Sequence, residues 1–112
     1  MALPRPLPNS LVEIIARRFR VLGDPTRIRL LDKLRDGEAS VQELTDATGA
    51  SQQNVSKHLG VLLEAGIVAR RKEGTLSLYS IADDAVFELC ESVCGSLQRQ
   101  VTELQGLLEV AR

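Results

Sequence analysis

The feature that most constrains the fold is the stretch from residue 40 to residue 79, which contains two short helical patterns followed by two strand-like runs. Ser40 and Glu43 have the spacing of a capping box, which predicts that a helix begins there. Gly49 suits the left-handed conformation that ends many helices, and Ser51 can cap the next helix. Two helices so closely spaced predict a helix-turn-helix unit.

The two runs that follow have the composition of β-strands. Residues 67–71 and 76–81 are separated by residues 72–75, in which Gly74 supplies the conformational freedom of a tight turn. These runs predict a two-stranded hairpin directly after the second helix of the unit.

The segments on either side predict helices with one apolar face. Ser10 with Glu13 forms another capping-box pattern, and Asp24 precedes a proline that suits the first turn of a helix. Asp83 or Asp84 can cap a long last helix. The chain is therefore predicted to be mainly α with a small β-hairpin, a winged helix-turn-helix in the order α-α-α-α-β-β-α.

The two ends of the chain differ in character. Residues 1–9 contain three closely spaced prolines, which prevent a helix and predict a flexible arm, and residues 10–112 are predicted to form a single domain.

The first and last helices carry broad apolar stripes that need a partner surface, so we expect a dimer joined through them. The expected dimerisation residues are Leu11, Ile14, Ile15, Val86, Leu89, Val93, Leu97, Val101 and Leu104.

Composition limits the class of protein without defining a partner. The formal net charge is −1, so any surface that binds nucleic acid must be a local basic patch. No apolar run approaches the roughly 20 residues that span a bilayer, and the N-terminus lacks the apolar core of a signal peptide. We therefore expect a cytoplasmic protein without membrane association, whose two cysteines are thiols.

The second helix of the unit carries side chains suited to reading DNA. Short polar side chains near the start of a recognition helix can reach base edges in the major groove, and basic side chains in the hairpin can contact phosphates or the minor groove. His58 has two interpretations, a phosphate contact or packing against the preceding helix. The expected DNA-binding residues are Ser51, Gln52, Gln53, Ser56, Lys57, His58, Arg70, Arg71, Lys72 and Thr75.

Four runs together resemble the ArsR/SmtB family of winged-helix repressors. They are LGDPTR at 22–27, NVSKHL at 54–59, EAGIV at 64–68 and EG at 73–74, and the similarity covers roughly residues 10 to 105. The resemblance implies a homodimer that binds an imperfect palindrome in double-stranded operator DNA. It also implies release from that operator when an inducer, often a metal ion, binds.

The chain departs from the metal-sensing members of this family at two places. Members that sense metals through the third helix carry a cysteine pair there, whereas residues 43–46 read ELTD. Members that use the last helix carry an acidic residue and histidines; Asp83 matches the acidic position, but Ala85, Ser96 and Arg99 occupy the partner positions. Neither of these family metal sites is predicted in this chain.

Cys90 and Cys94 are the remaining candidates for a sensor. They lie four residues apart, and therefore one turn apart on the same face of a helix. Their thiolates can bind a metal or metalloid ion together with thiolates of a partner chain, or react with oxidants or reactive sulfur species. Alternatively, both are small hydrophobic side chains that fill a helix interface, with no bound cofactor.

The sequence thus predicts a dimeric, DNA-binding transcriptional repressor released by a metal or metalloid ion. The alternatives are a repressor that responds to thiol oxidation or reactive sulfur, and a winged-helix module that binds another protein and has no inducer of its own. An enzyme is not predicted, because the chain has no Gly-rich phosphate loop, and its one histidine lies in the recognition helix.

Overall fold

A computed structural model describes residues 1–110 of the chain. The elements are α1 (Asn9–Leu22), α2 (Pro25–Leu34), β1 (Ala39–Ser40), α3 (Val41–Thr48), α4 (Gln52–Glu64), β2 (Val68–Glu73), β3 (Leu76–Ile81) and α5 (Ala85–Val110). The predicted mainly α fold with a β-hairpin is confirmed, with one additional short strand. The chain divides into two compact units, residues 1–82 and the segment that begins at Asp83.

The core of the first unit is almost entirely aliphatic. Aromatic residues are only 3% of the chain, so leucine, isoleucine and valine supply the buried area. α2, α3, α4 and the sheet each contribute side chains to it. The buried apolar residues of these elements and of the linkers beside them are Leu30, Leu31, Leu34, Ala39, Leu44, Val55, Leu59, Leu62, Ile67, Val68 and Tyr79.

The sheet has three antiparallel strands in the order β1-β3-β2. Tyr79 in the central strand pairs with Ala39 on one side and with Arg70 on the other. Gly74 forms the turn between β2 and β3 with a φ of 63°, a conformation that favours glycine. Sequence analysis did not predict β1, because two residues are too short to show an alternating pattern.

The local signals around the helix-turn-helix are confirmed. Ser40 Oγ accepts a hydrogen bond from the N–H of Glu43 at 3.2 Å, and the N–H of Ser40 donates to Glu43 Oε1 at 3.1 Å, which completes the capping box. Gly49 ends α3 with a φ of 72°. Ser51 Oγ accepts from the N–H of Asn54 at 3.1 Å and caps α4.

The predicted start of α1 is wrong by two residues, because Pro8 rather than Ser10 is the N-cap, and the predicted capping box is absent. α1 begins at Asn9, and the preceding Pro8 has no side chain that can cap the helix. The carbonyl of Pro8 instead accepts the first helical hydrogen bond, from the N–H of Val12 at 3.0 Å. Ser10 therefore lies within the first turn, where its hydroxyl does not occupy the capping position that pairs with Glu13.

The second unit is the long helix α5. Asp83 Oδ1 accepts a hydrogen bond from the N–H of Ala85 at 3.0 Å, which confirms that one of the two predicted aspartates serves this helix start. Val86 is buried and has little surface left for a partner. The later apolar side chains are exposed, namely Val93, Leu97, Val101, Leu104, Leu107, Leu108 and Val110. Within residues 1–110, no helix is both long and apolar enough to cross a membrane.

Replacing Leu59 by alanine tests the aliphatic core. Leu59 is completely buried, so Leu59→Ala should lower the free energy of unfolding by about 2–5 kcal/mol. Leu76→Ala is the matched control, because Leu76 remains 55% exposed and the same substitution should cost less than about 1 kcal/mol there. Urea unfolding of both variants provides the measurement, and equal losses would contradict this description of the core.

Candidate nucleic-acid interface

The start of α4 presents one exposed polar surface. Val55, Leu59 and Leu62 bury one side of the helix, so the side chains on the other side point away from the core. We call the exposed set the reading surface. It consists of Ser51, Gln52, Gln53, Ser56 and Lys57, all of them exposed and all predicted from the sequence.

The reading surface lies at the N-terminus of a helix, where backbone N–H groups and the helix dipole favour negative charge. Ser51 accepts the capping hydrogen bond with its oxygen and keeps its hydroxyl proton available to another acceptor. Lys57 adds a full positive charge one turn further along. This end of α4 is therefore complementary to phosphate as well as to base edges.

Gly60 also lies on the exposed side of α4 and was not considered in the sequence analysis. A Cβ atom at this position would have no neighbour within 4 Å, so packing inside the chain does not require glycine here. Glycine in a helix interior costs roughly 1 kcal/mol relative to alanine. Its position midway along an otherwise regular recognition helix is a signal that sequence inspection could have found. The missing side chain lets an external surface approach the helix backbone closely.

His58 occupies a different environment from the rest of the predicted set. Its side chain belongs to the buried face of α4, with only 9% of the residue exposed. Nδ1 lies 2.9 Å from Nη1 of Arg27 in α2. The structure thus corresponds to the packing alternative, although the partner is α2 rather than α3. Such a buried ring has little area with which to reach a phosphate.

The hairpin formed by β2 and β3 carries the second group of cations. Arg70 and Lys72 are exposed and project from the same face of β2, because alternate side chains of a strand share a face. Neither side chain forms an ion pair with residues 1–110. Thr75 is exposed at the hairpin turn. We call this hairpin, residues 68–81, the wing.

Arg71 has a structural role that the sequence did not reveal. Its Nε donates to Glu38 Oε2 at 2.9 Å, and its Nη2 lies 2.9 Å from Glu73 Oε2. The hydrogen bond from Arg71 lowers the pKa of the Glu38 carboxyl below its usual value, and the two carboxylates raise the pKa of the guanidinium. Arg71 therefore joins the wing to the segment before β1, and its charge is largely compensated.

Cys90 and Cys94 are free and exposed on α5. The part of the chain that the structure describes contains no group of three or more histidine, cysteine, aspartate and glutamate side chains that could hold a metal ion. Two thiolates on one helix face supply only half of a tetrahedral site. A complete thiolate site at this position would therefore need ligands from a second chain.

The Glu38–Arg71 ion pair generates a prediction about the wing. Because the folded-state pKa of Glu38 is lowered, the pair is intact above the usual carboxyl range and is lost as the pH falls through the lowered value. We expect Glu38→Gln to reduce the ¹⁵N order parameters of residues 70–75 at neutral pH. In acid, the order parameters of the unmodified protein should fall towards those of the variant. Glu64→Gln, at an exposed position of α4, should leave them unchanged. Identical wing order parameters in Glu38→Gln and the unmodified protein would contradict this role of Arg71.

Comparisons with known proteins agree with this geometry. Residues 22–71 match a helix-turn-helix domain family. The chain is 37% identical over 105 residues to the HTH-type transcriptional regulator Rv0081 of Mycobacterium tuberculosis, covering 93% of this chain and 92% of that protein. The crystal structure of Rv0081 superposes with a TM-score of 0.75, covering 86% of this chain and 97% of that chain.

Two further relatives extend the comparison. A homodimeric winged helix-turn-helix DNA-binding domain from Mycobacterium bovis, a possible ArsR-family transcriptional regulator, is 32% identical with a TM-score of 0.71, covering 88% of this chain and 91% of that one. The probable mercury resistance operon repressor of Streptomyces lividans is 39% identical over 83 residues, which are 74% of this chain and 66% of that protein. The chain belongs to the ArsR/SmtB family of winged helix-turn-helix transcriptional regulators.

Proposed function

We propose that the protein is a homodimeric, sequence-specific repressor that acts in the cytoplasm on a palindromic operator. The observation that carries this proposal is the reading surface, a set of exposed polar side chains on a helix whose other face is fixed in the core. This surface matches the requirements for contacts with base edges in the major groove.

Each side chain of the reading surface has a specific role in this proposal. Gln52 and Gln53 can donate to N7 and accept from N6–H of adenine. Lys57 can donate to guanine or to a phosphate, and the hydroxyl groups of Ser51 and Ser56 can donate to phosphate oxygens of the DNA backbone. Gly60 allows the middle of the helix to lie close to the sugar-phosphate chain.

The wing supplies contacts outside the major groove. Arg70 and Lys72 share one face of β2 and have no ion-pair partner within residues 1–110, so they are the side chains suited to phosphates or the minor groove. Arg71 acts indirectly, since its ion pairs with Glu38 and Glu73 fix the orientation of the strand. This division of roles differs from the sequence interpretation, which assigned all three cations to DNA.

A homodimer accounts for the apolar surface that a single chain leaves exposed. On α5, Leu97, Val101, Leu104 and Leu108 recur at intervals of four, three and four residues and are all exposed, which is the pattern of a helix-helix seam. On α1, Ile14 is also exposed, beside the partly buried Leu11 and Ile15. A two-fold dimer presents two reading surfaces, so its operator should be palindromic.

The thiols of α5 are proposed as the inducer site. Cys90 and Cys94 lie on the same helix as the proposed dimer seam and are exposed in the single chain. Pairing two such helices can bring four thiolates together, a donor set that suits a soft metal or metalloid ion. The similarity to a mercury resistance operon repressor supports this chemistry. Ion binding would change the spacing of the two reading surfaces and release DNA.

A second candidate is a repressor that responds to oxidants or reactive sulfur. The observation that favours it is the exposure of both free thiols, because accessible thiolates are the forms that react. A disulfide or polysulfide between the cysteines of two protomers would alter the same helix pair. The two candidates share the DNA-bound state and differ only in the inducer.

Replacing basic side chains tests the DNA-binding proposal. Lys57→Ala should weaken binding to a duplex taken from upstream of the protein's own gene by about tenfold, through the loss of a base or phosphate contact. Arg70→Ala should reduce the slope of log K against log salt by about 0.9, the value expected for one phosphate contact. Fluorescence anisotropy at several salt concentrations measures both quantities.

Lys33→Ala is the matched control for these variants. It also removes one positive charge, from an exposed side chain of α2. Nζ of Lys33 lies 3.4 Å from Oδ2 of Asp36. Its affinity and salt slope should equal those of the unmodified protein. If Lys57→Ala and Arg70→Ala also behaved in this way, the proposed interface would be wrong.

The double replacement Cys90→Ser with Cys94→Ser tests the inducer proposal. The variant should keep its affinity for DNA in the absence of inducer, because the thiols are exposed and distant in sequence from the reading surface. It should no longer be released by the agent that releases the unmodified protein, among mercury(II), arsenite, zinc, a persulfide and peroxide. Release by a metal ion alone favours the ion-binding mechanism, and release by persulfide or peroxide favours the redox mechanism. A double variant that responds like the unmodified protein would exclude both.

A further inference from the structure

The side chain of Arg27 lies where α1, α2 and α4 meet. Its Nε donates to the carbonyl oxygen of Val21 at 2.6 Å, and its Nη2 donates to that of Arg20 at 3.3 Å. Its Nη1 lies 2.9 Å from Nδ1 of His58. One guanidinium group therefore joins the end of α1 to the buried face of the recognition helix.

The contact with α1 has a clear physical basis. The last carbonyl groups of a helix have no partner within the helix and carry its negative dipole end. A planar, permanently charged guanidinium can donate to two of them and still have an N–H for a third acceptor. Lysine has neither this geometry nor this number of fixed donors.

The contact with α4 defines the protonation state of His58. Arginine only donates hydrogen bonds, so Nδ1 of His58 must be the acceptor. The imidazole is therefore neutral and carries its proton on Nε2. A proton added to Nδ1 would abolish the acceptor and place two positive groups in contact.

The surroundings of His58 determine what happens when it is protonated. Besides Arg27, the ring faces the carboxylate of Asp24, whose Oδ1 lies 4.0 Å from Nδ1. This oxygen already accepts from the N–H groups of Thr26 and Arg27, and the hydrogen bond from Arg27 lowers the pKa of the carboxyl. Within residues 1–110, Asp24 provides the one carboxylate at ion-pair distance from the ring. Protonated His58 would therefore be attracted to Asp24 and repelled by Arg27.

We propose that Arg27 and His58 are positioning residues for DNA reading, because their hydrogen bond fixes the recognition helix relative to the end of α1. The inference rests on the proposed function, since it concerns how the reading surface is presented to DNA. Its consequence is that operator affinity depends on a neutral His58 and falls in acid. Neither residue needs to contact DNA for this effect.

The first measurement observes the bridge without DNA. His58 is the only histidine in the chain, so the imidazole ¹⁵N signals of the full-length protein belong to it alone. We expect the neutral tautomer with the proton on Nε2 at about pH 7.5, because Nδ1 accepts the hydrogen bond from Arg27. A neutral ring with the proton on Nδ1 would overturn the proposed hydrogen bond.

The second measurement compares His58→Asn with His58→Ala. Asparagine offers a side-chain oxygen near the position of Nδ1 and cannot be protonated, whereas alanine offers no acceptor. With the duplex from upstream of the protein's own gene, His58→Asn should retain the unmodified affinity within about threefold at pH 7.5, and His58→Ala should lose about tenfold. When the pH is lowered from about 7.5, the unmodified protein should lose affinity as Nδ1 gains a proton, and His58→Asn should not.

The controls separate this inference from the proposed function. Circular dichroism at each pH establishes that every variant is folded. Arg27→Lys tests whether a positive charge alone suffices to position α4, and we expect it to lose about as much operator affinity as His58→Ala. Equal affinities and pH profiles for His58→Asn and His58→Ala would overturn the inference while leaving the repressor intact. Absence of DNA binding by the unmodified protein at neutral pH would instead overturn the proposed function, and the tautomer measurement would still decide whether the bridge exists.

Discussion

The burial of one face of α4 is the interaction on which the rest of the structure depends. Val55, Leu59 and Leu62 are completely buried among side chains of α2, α3 and the sheet, and this fixes the rotation of the helix about its own axis. Because Gln53 and Lys57 lie on the face opposite the buried one, the same burial determines that they point outward. A stable core and a defined reading surface are therefore two consequences of one packing arrangement.

Electrostatics act locally in this protein, because its formal net charge is only −1. Attraction to DNA must come from a few uncompensated cations and from the N-terminus of α4. Glu38 and Glu73 compensate Arg71, so they convert one wing cation into a structural element, and Arg70 and Lys72 remain as the wing cations proposed to contact phosphates. The distinction between paired and unpaired cations, rather than their total number, defines the candidate interface.

Most features encoded by neighbouring residues could be predicted from the sequence, although the Ser10–Glu13 capping box did not form, and those that join distant residues could not be predicted. The Ser40–Glu43 capping box depends on residues three apart and was predicted correctly. The hydrogen bonds from Arg71 to Glu38 and from Arg27 to His58 join residues separated by 33 and 31 positions, and no periodic pattern marks them. The short strand β1 likewise exists only because β3 lies beside it. The exposed residues of α4 followed from helical periodicity, whereas the burial of His58 required the fold.

The central claim is that two copies of the reading surface bind adjacent major grooves of one operator. Hydroxyl-radical footprinting on DNA from upstream of the protein's own gene tests it most directly, because it locates every protected stretch of backbone. Two symmetric protected regions are expected on the same face of the duplex, centred about 10 base pairs or a multiple of that distance apart. A single asymmetric region, or protection without any periodic pattern, would contradict it.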